Sequence, residues 1–165
     1  MRELERHSPY GLEWEARQHA LGLDTGSDWL DPHEIDQLEH FHSLEPHIPL
    51  RKKIKWIPRN YVGRIPTDDF VWVANDGVHI EMKRVHRAGY KPIRNSIKQA
   101  LDRLRKWDPP IRGVKENFMV DIGQRELRTN VREELEEYNI RNPHNQIKRL
   151  WVLWRGNLEE ITLRK

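Results

Sequence analysis

The sequence predicts an α/β domain of the α+β kind, with a mixed central sheet flanked by helices. Three observations carry this. Apolar residues recur at helical spacing in "DPHEIDQLEHFHSL" and "KPIRNSIKQALDRLRKW". They alternate at strand spacing in "FVWVA" and "VHIEMKRV", on either side of an "NDG" turn. The elements follow the order ααββαβαββ, which suits a mixed sheet with helices packed on it. A chain of 165 residues suits one domain with a core large enough to fold alone. It divides into an N-terminal helical part over 1–60, a central core over 61–125 and a C-terminal helix and hairpin over 124–165.

The elements follow in order. Residues 8–22 read as a helix, with Ser8 as cap, Pro9 in its first turn, and Leu12, Ala16, Ala20 and Leu23 facing inward. "DTGSD" ends it. The second helix has Asp31 as cap and Pro32 at its first position, with Ile35, Leu38 and Phe41 inward. "EPHIPLRKKIKWIPRNYVGRIP" is punctuated by proline and reads as irregular or edge-like. The hairpin around Asn75-Asp76-Gly77 comes next. A helix over 92–107 follows, with Ile93, Ile97, Ala100, Leu101 and Leu104 inward, and Asp108-Pro109-Pro110 ends it. "NFMVDIG" is a short buried strand. A polar helix over 124–138 turns Leu127, Val131, Leu135 and Tyr138 inward, and a last hairpin turns at Gly156-Asn157.

Composition excludes several classes. No apolar run approaches the ~18 residues of a membrane span. The first twenty residues lack an apolar stretch of the secretory kind, so no secretory signal is expected. There is no cysteine, hence no disulfide, thiolate zinc site or cysteine nucleophile, which fits a reducing compartment. No Gly-rich phosphate loop, serine elbow or dinucleotide fingerprint is present. The net charge of +3 conceals an asymmetry: residues 83–106 hold nine Lys/Arg and one acid, while the rest holds 20 bases and 25 acids. A basic stretch of this kind attracts polyanions, above all nucleic acid. Arg84, Arg87, Lys91, Arg94, Lys98 and Gln99 are its candidate contacts.

That stretch directly follows "GVHIEMKRV". Strand geometry puts Glu81 and Lys83 on one face, with Val78, Ile80 and Met82 on the other. A three-residue turn at 75–77 would pair 71 with 81 and bring Asp69 to the same face; a two-residue turn would bring Asp68 instead. Glycine at the third turn position favours Asp69. Two carboxylates and an ammonium on one face make chemical sense around a divalent cation. Carboxylate oxygens suit Mg²⁺ or Mn²⁺, the cation polarises a phosphate, and the lysine orients a water. Asp69 and Glu81 are the metal-ligand candidates, and Asp69, Glu81 and Lys83 the catalytic ones.

Pro66, Asp68-Asp69, an apolar strand, a turn and then Glu81-Met82-Lys83 resemble the signature of the PD-(D/E)xK nuclease superfamily. The resemblance spans roughly residues 10–125. It implies a restriction-endonuclease-like αβββαβ core and Mg²⁺-dependent cleavage of phosphodiester bonds. It also implies a further acid from an N-terminal helix, for which Glu15 or Glu13 would serve, and supporting polar residues, Lys98 and Gln99, on the helix after the ExK strand. Pro66 stands two residues further from Asp69 than the family's "PD" step has it. The C-terminal helix and "IKRLWVLWRGNLEEI" look similar, in element order, to the C-terminal nuclease domains of contact-dependent growth-inhibition toxins. That narrower likeness implies an effector cutting tRNA or DNA in the cytoplasm, delivered within a larger secreted protein and partnered by an acidic immunity protein.

Overall fold

In the computed structural model, residues 11–59, 63 and 65–165 are described. The first described helix, α1 (Leu12–Ala20), leads to α2 (Pro32–His42) and a single turn, α3 (Leu50–Lys53). Three strands follow: β1 (Lys55–Trp56), β2 (Phe70–Trp72) and β3 (Val78–Arg84). Then come α4 (Tyr90–Leu104), β4 (Asn117–Asp121), α5 (Thr129–Glu136), the short α6 (Tyr138–Arg141), β5 (Arg149–Trp154) and β6 (Asn157–Ile161). The strands form one sheet in the order β1-β2-β3-β4-β5-β6. β1, β2 and β3 are antiparallel neighbours, β3, β4 and β5 run parallel, and β6 returns antiparallel. The mixed sheet flanked by helices is the predicted fold class.

Each sheet face has its own core. On one face, Ile93, Ile97 and Ala100 of α4 and Val131 and Leu135 of α5 pack on Phe118, Val120, Leu150 and Val152. On the other, Ile35, Leu38 and Phe41 of α2 pack on Phe70, Ile80, Met82, Met119 and Leu153. Trp72 meets Phe41 and Trp151 edge-on, at centroid distances of 5.5 and 5.2 Å. Asp31 and Glu34 form the reciprocal cap at the start of α2, with Pro32 in the first turn as expected. Among the described residues no helix is long and apolar enough to cross a membrane.

Several local expectations need correction. Ser8 and Pro9 lie outside the described residues. Leu12 is 69% exposed and Ala16 and Ala20 are exposed too, so α1 is not held by the expected apolar stripe. Trp14 packs on the α2 core instead, with Leu21 and Leu23 just after the helix, and polar contacts add to this. Arg17 bonds Asp36 at 2.7 Å and pairs with Glu39 of α2. Buried Gln18 donates to Thr25 Oγ1 (3.1 Å) and the Asp28 carbonyl (3.0 Å), and accepts from Leu30 N (2.8 Å). The edge-like segment supplies α3 and the two-residue edge strand β1. The polar helix starts later than expected and breaks into α5 and α6, yet Leu127, Val131, Leu135 and Tyr138 are all buried. The last hairpin pairs Trp154 with Asn157, so its turn is Arg155-Gly156, both left-handed at φ 48° and 71°.

Candidate active site

The β2–β3 register differs from both expected ones. Phe70 faces Ile80, Val71 faces His79 and Trp72 faces Val78, so the loop runs from Val73 to Gly77. Asp76 and Gly77 are both left-handed (φ 56° and 70°), and the amides of Asn75 and Gly77 both donate to the Trp72 carbonyl at 3.0 Å. The longer loop shifts the pairing by two residues, an even step that leaves each side chain on its expected face. Asp69 therefore still comes to Glu81.

Beyond Phe70 the ladder ends. The Met82 amide, which would otherwise extend it, donates to Asp69 Oδ2 at 2.7 Å. A cleft of about 870 Å³ opens there, lined by Asp68, Asp69, Glu81 and Lys83 together with side chains of α2 and α4. The ambiguity between Asp68 and Asp69 resolves as both. Asp68 is 3% exposed and accepts the Lys115 backbone N–H at 2.7 Å.

Glu81 is 4% exposed and lies between two ammonium groups. Lys83 Nζ is 3.0 Å from Oε2, and Lys115 Nζ is 2.9 Å from Oε1. Lys115 also donates to the Thr67 carbonyl at 3.0 Å. Burial pushes the Asp68 carboxyl upward; the Lys115 N–H opposes this and the charge of Glu81 adds to it. Asp69 is raised further, by burial first and then by Glu81, with Glu34 contributing and the Met82 N–H opposing. Acids crowded until their charges resist one another are the electrostatic signature of a site built for a cation or for proton transfer.

Other expected residues fall elsewhere. Glu15 and Glu13 do not reach the cleft; the acid from the N-terminal helices is Glu34, at the start of α2. Glu34 caps Asp31 N at 2.8 Å and pairs with Arg59. Arg59 is positioned by buried Asp28, which accepts Arg59 N and Trp56 Nε1, each at 3.0 Å. On α4, Ser96, Gln99 and Arg103 line the cleft. At 100° per residue, Lys91, Arg94 and Lys98 lie roughly 130° around the helix from them. Lys98 bonds Asp102 at 2.8 Å and Arg94 bonds Asn95 at 2.9 Å. Arg87 is exposed and lines no part of the cleft. Of the expected phosphate contacts, Arg84 and Gln99 are at the site.

Arg84 is oriented from behind. Asp121, fully buried, lies 3.6 Å from its guanidinium, and Asp36 lies at 4.0 Å. Asp121 Oδ1 also accepts from Gly123 N (2.7 Å) and meets His40 Nδ1 (2.9 Å). The Gly156 N–H donates to His40 Nε2 at 2.9 Å, so the ring proton sits on Nδ1 and points at Asp121. His40 thus ties α2 to β4 and to the last turn. Tyr90 is buried at the start of α4, its hydroxyl accepting from Asn142 at 2.9 Å, and so packs rather than lining the cleft.

Sequence reading missed Lys115 and Glu34. Lys115 is 47 residues from Asp68 and sits in an irregular segment, so no periodicity could place it. Glu34 had a visible capping role that concealed its second one.

The donor set suits a hard divalent cation in kind: carboxylates of Asp69, Asp68 and Glu81, with the Thr67 carbonyl beside them. The Lys115 ammonium already lies between two of these oxygens, a positive group where a cation would be expected. As the side chains stand, no three His, Asp or Glu groups among the described residues converge closely enough to hold an ion. Comparison with family models, curated proteins and solved structures finds no match to this chain.

Proposed function

We propose that this chain is a Mg²⁺- or Mn²⁺-dependent nuclease of the PD-(D/E)xK kind. The observation that carries the reading is the meeting of Asp68, Asp69, Glu81 and Lys83 in one open polar cleft, where β2 leaves β3. With the single turn α3 set aside, the element order α2, β1, β2, β3, α4, β4 is compatible with it, matching the αβββαβ order the resemblance implies. So is Gln99 at the cleft wall.

In this reading Asp69 and Glu81 hold the cation, with Asp68 beside them. A bound Mg²⁺ supplies polarisation of the phosphate and a lowered pKa for bound water. Lys83, fixed against Glu81 Oε2, orients the attacking water and offsets charge as it develops on the phosphate. Arg84 and Arg103 at the cleft wall hold the phosphates on either side. Arg125 flanks Gly123 together with Arg84 and extends this basic rim. The finer reading is an effector that cuts tRNA or DNA in the cytoplasm under an acidic immunity protein. It rests on the C-terminal helix and hairpin alone, by analogy.

A second reading, a nucleic-acid-binding domain without catalysis, is favoured by one observation: both Glu81 oxygens already have lysine partners. Incubation with mixed DNA, tRNA and rRNA, in Mg²⁺ or in EDTA, separates the two. The nuclease reading expects cleavage that EDTA abolishes. Cleavage that persists in EDTA would refute metal dependence, and retained binding without cleavage in any condition would establish the second reading.

A further inference from the structure

We infer that Lys115 is a tethered counter-cation, whose ammonium holds the oxygen site of Glu81 and Thr67 in the metal-free protein and leaves it when a divalent cation binds. The inference rests on the metal-dependent reading above.

Three features of the molecule lead to it. First, the contacts of the Lys115 ammonium are those a hard cation would take. It lies 2.9 Å from Glu81 Oε1 and 3.0 Å from the Thr67 carbonyl oxygen, and its side chain is only 9% exposed. A divalent ion binds such oxygens at about 2.0–2.6 Å. It cannot share Glu81 Oε1 with an ammonium at hydrogen-bond range without strong like-charge repulsion.

Second, each carboxylate is already engaged by another partner. Asp69 faces the Met82 amide, Asp68 faces the Lys115 amide, and Glu81 is divided between two lysines. The acid that an ion would need most is the one Lys115 holds.

Third, Lys115 sits just outside the sheet, in an irregular segment that enters β4 at Asn117. Its φ of +55° lies in the left-handed region, sparsely populated by residues with a Cβ, and Gly113 two residues earlier has φ +80°. The next residue, Glu116, is tied to the chain before β5, its carbonyl accepting the Lys148 N–H at 2.8 Å. The Lys115 N–H itself donates to Asp68, a member of the acid cluster. A cation that turned Asp68 would therefore release the Lys115 amide, while Glu116 stays anchored.

The device has a clear use. Three acids without a cation repel one another, and a lysine on a long flexible side chain neutralises one of them until the cation arrives. In return, part of the cation's intrinsic affinity is spent on displacing the ammonium.

The test is amine labelling of the intact wild-type protein with an acetylating reagent, read residue by residue by mass spectrometry, in EDTA and in saturating MgCl₂. Calorimetric titration with MgCl₂ runs in parallel. Lys52, exposed on α3, is the internal standard. Lys115 labelling is expected to rise at least about tenfold in Mg²⁺ relative to Lys52. In the titration, Lys115→Gln is expected to bind Mg²⁺ about tenfold more tightly than wild type, the share of affinity recovered when no ammonium has to leave. Binding heat with Lys115 equally protected in both conditions would overturn this inference alone. Absence of any Mg²⁺ binding would overturn it together with the metal-dependent reading. The labelling arm uses wild type, so the result stands even if Lys115→Gln folds poorly.

Discussion

Replacing Asp69 with asparagine should stabilise the protein while abolishing the proposed cleavage. Asn is nearly isosteric, and its carbonyl oxygen can keep the 2.7 Å bond from the Met82 amide. What disappears is a charge that burial disfavours and that Glu81 and Glu34 repel. Asp69 is half-buried, so part of the several-kcal/mol penalty of a buried ion is recovered, and about 1 kcal/mol is lost because the remaining hydrogen bond is neutral. The net is about 1–2 kcal/mol in favour of Asp69→Asn without divalent cation at neutral pH. At about 2–4 °C per kcal/mol for a domain of this size, Tm should rise by roughly 2–8 °C. Calorimetry and urea melts in EDTA would measure it. Asp102→Asn is the control, a half-exposed carboxylate whose partners are Lys98 and Arg105. In saturating Mg²⁺ the order should narrow or reverse, because only wild type gains from the ion. An Asp69→Asn protein no more stable than wild type in EDTA would refute the claim that the acids are held together against repulsion.

Other outcomes follow from the same geometry. Arg84→Glu with Arg103→Glu should weaken nucleic-acid binding by more than tenfold and flatten its salt dependence by about two phosphate contacts. Lys91→Glu with Lys98→Glu, on the far side of α4, should change both far less in the same fluorescence titration. Asp28→Ala removes the acceptor of the Trp56 indole N–H and of the Arg59 amide; the buried indole donor alone predicts a loss of about 1–3 kcal/mol in urea unfolding. His42 has its pKa lowered from 6.5 by burial and then by the charge of Lys53. The folded state therefore prefers the neutral ring, and the stability this gives is present above pH 6.5 and lost as pH falls below it. Compared with His42→Gln, wild type should lose Tm steadily as the pH falls below 6.5; parallel curves would count against a depressed His42.

What the sequence made legible depended on locality. The cap at Asp31-Pro32 and the apolar spacing of α2 are written within a few residues, and both are found. The face shared by Asp69, Glu81 and Lys83 was legible because strand parity survives an even shift in register, even though the loop was longer than either expected turn. Asp68 was legible only as the alternative to Asp69; that both line the cleft was not, because it depends on how the chain leaves β3 before Phe70 and on a side chain capturing the Met82 amide. Lys115 arrives from a segment with no periodicity. The basic helix misled for a geometric reason: charge counted along a sequence ignores the direction each residue takes around the axis. Ser96, Gln99 and Arg103 turn to the cleft while Lys91, Arg94 and Lys98 do not. For α1, the apolar spacing suggested an inward stripe, but the helix is held by Trp14 packing on the α2 core and by Arg17 and Gln18 bonding carboxylates and backbone.

The central claim is that Glu81 and its neighbours hydrolyse phosphodiester bonds, and single-turnover cleavage by Glu81→Gln tests it most directly. Gln keeps the size of the side chain and removes the charge that Lys83 and Lys115 bracket. Several kcal/mol of transition-state stabilisation correspond to about three decades in rate. In saturating Mg²⁺, with substrate binding matched to wild type, the cleavage rate of Glu81→Gln should fall about 10³-fold. A rate within about tenfold of wild type would show that the chemistry lies elsewhere.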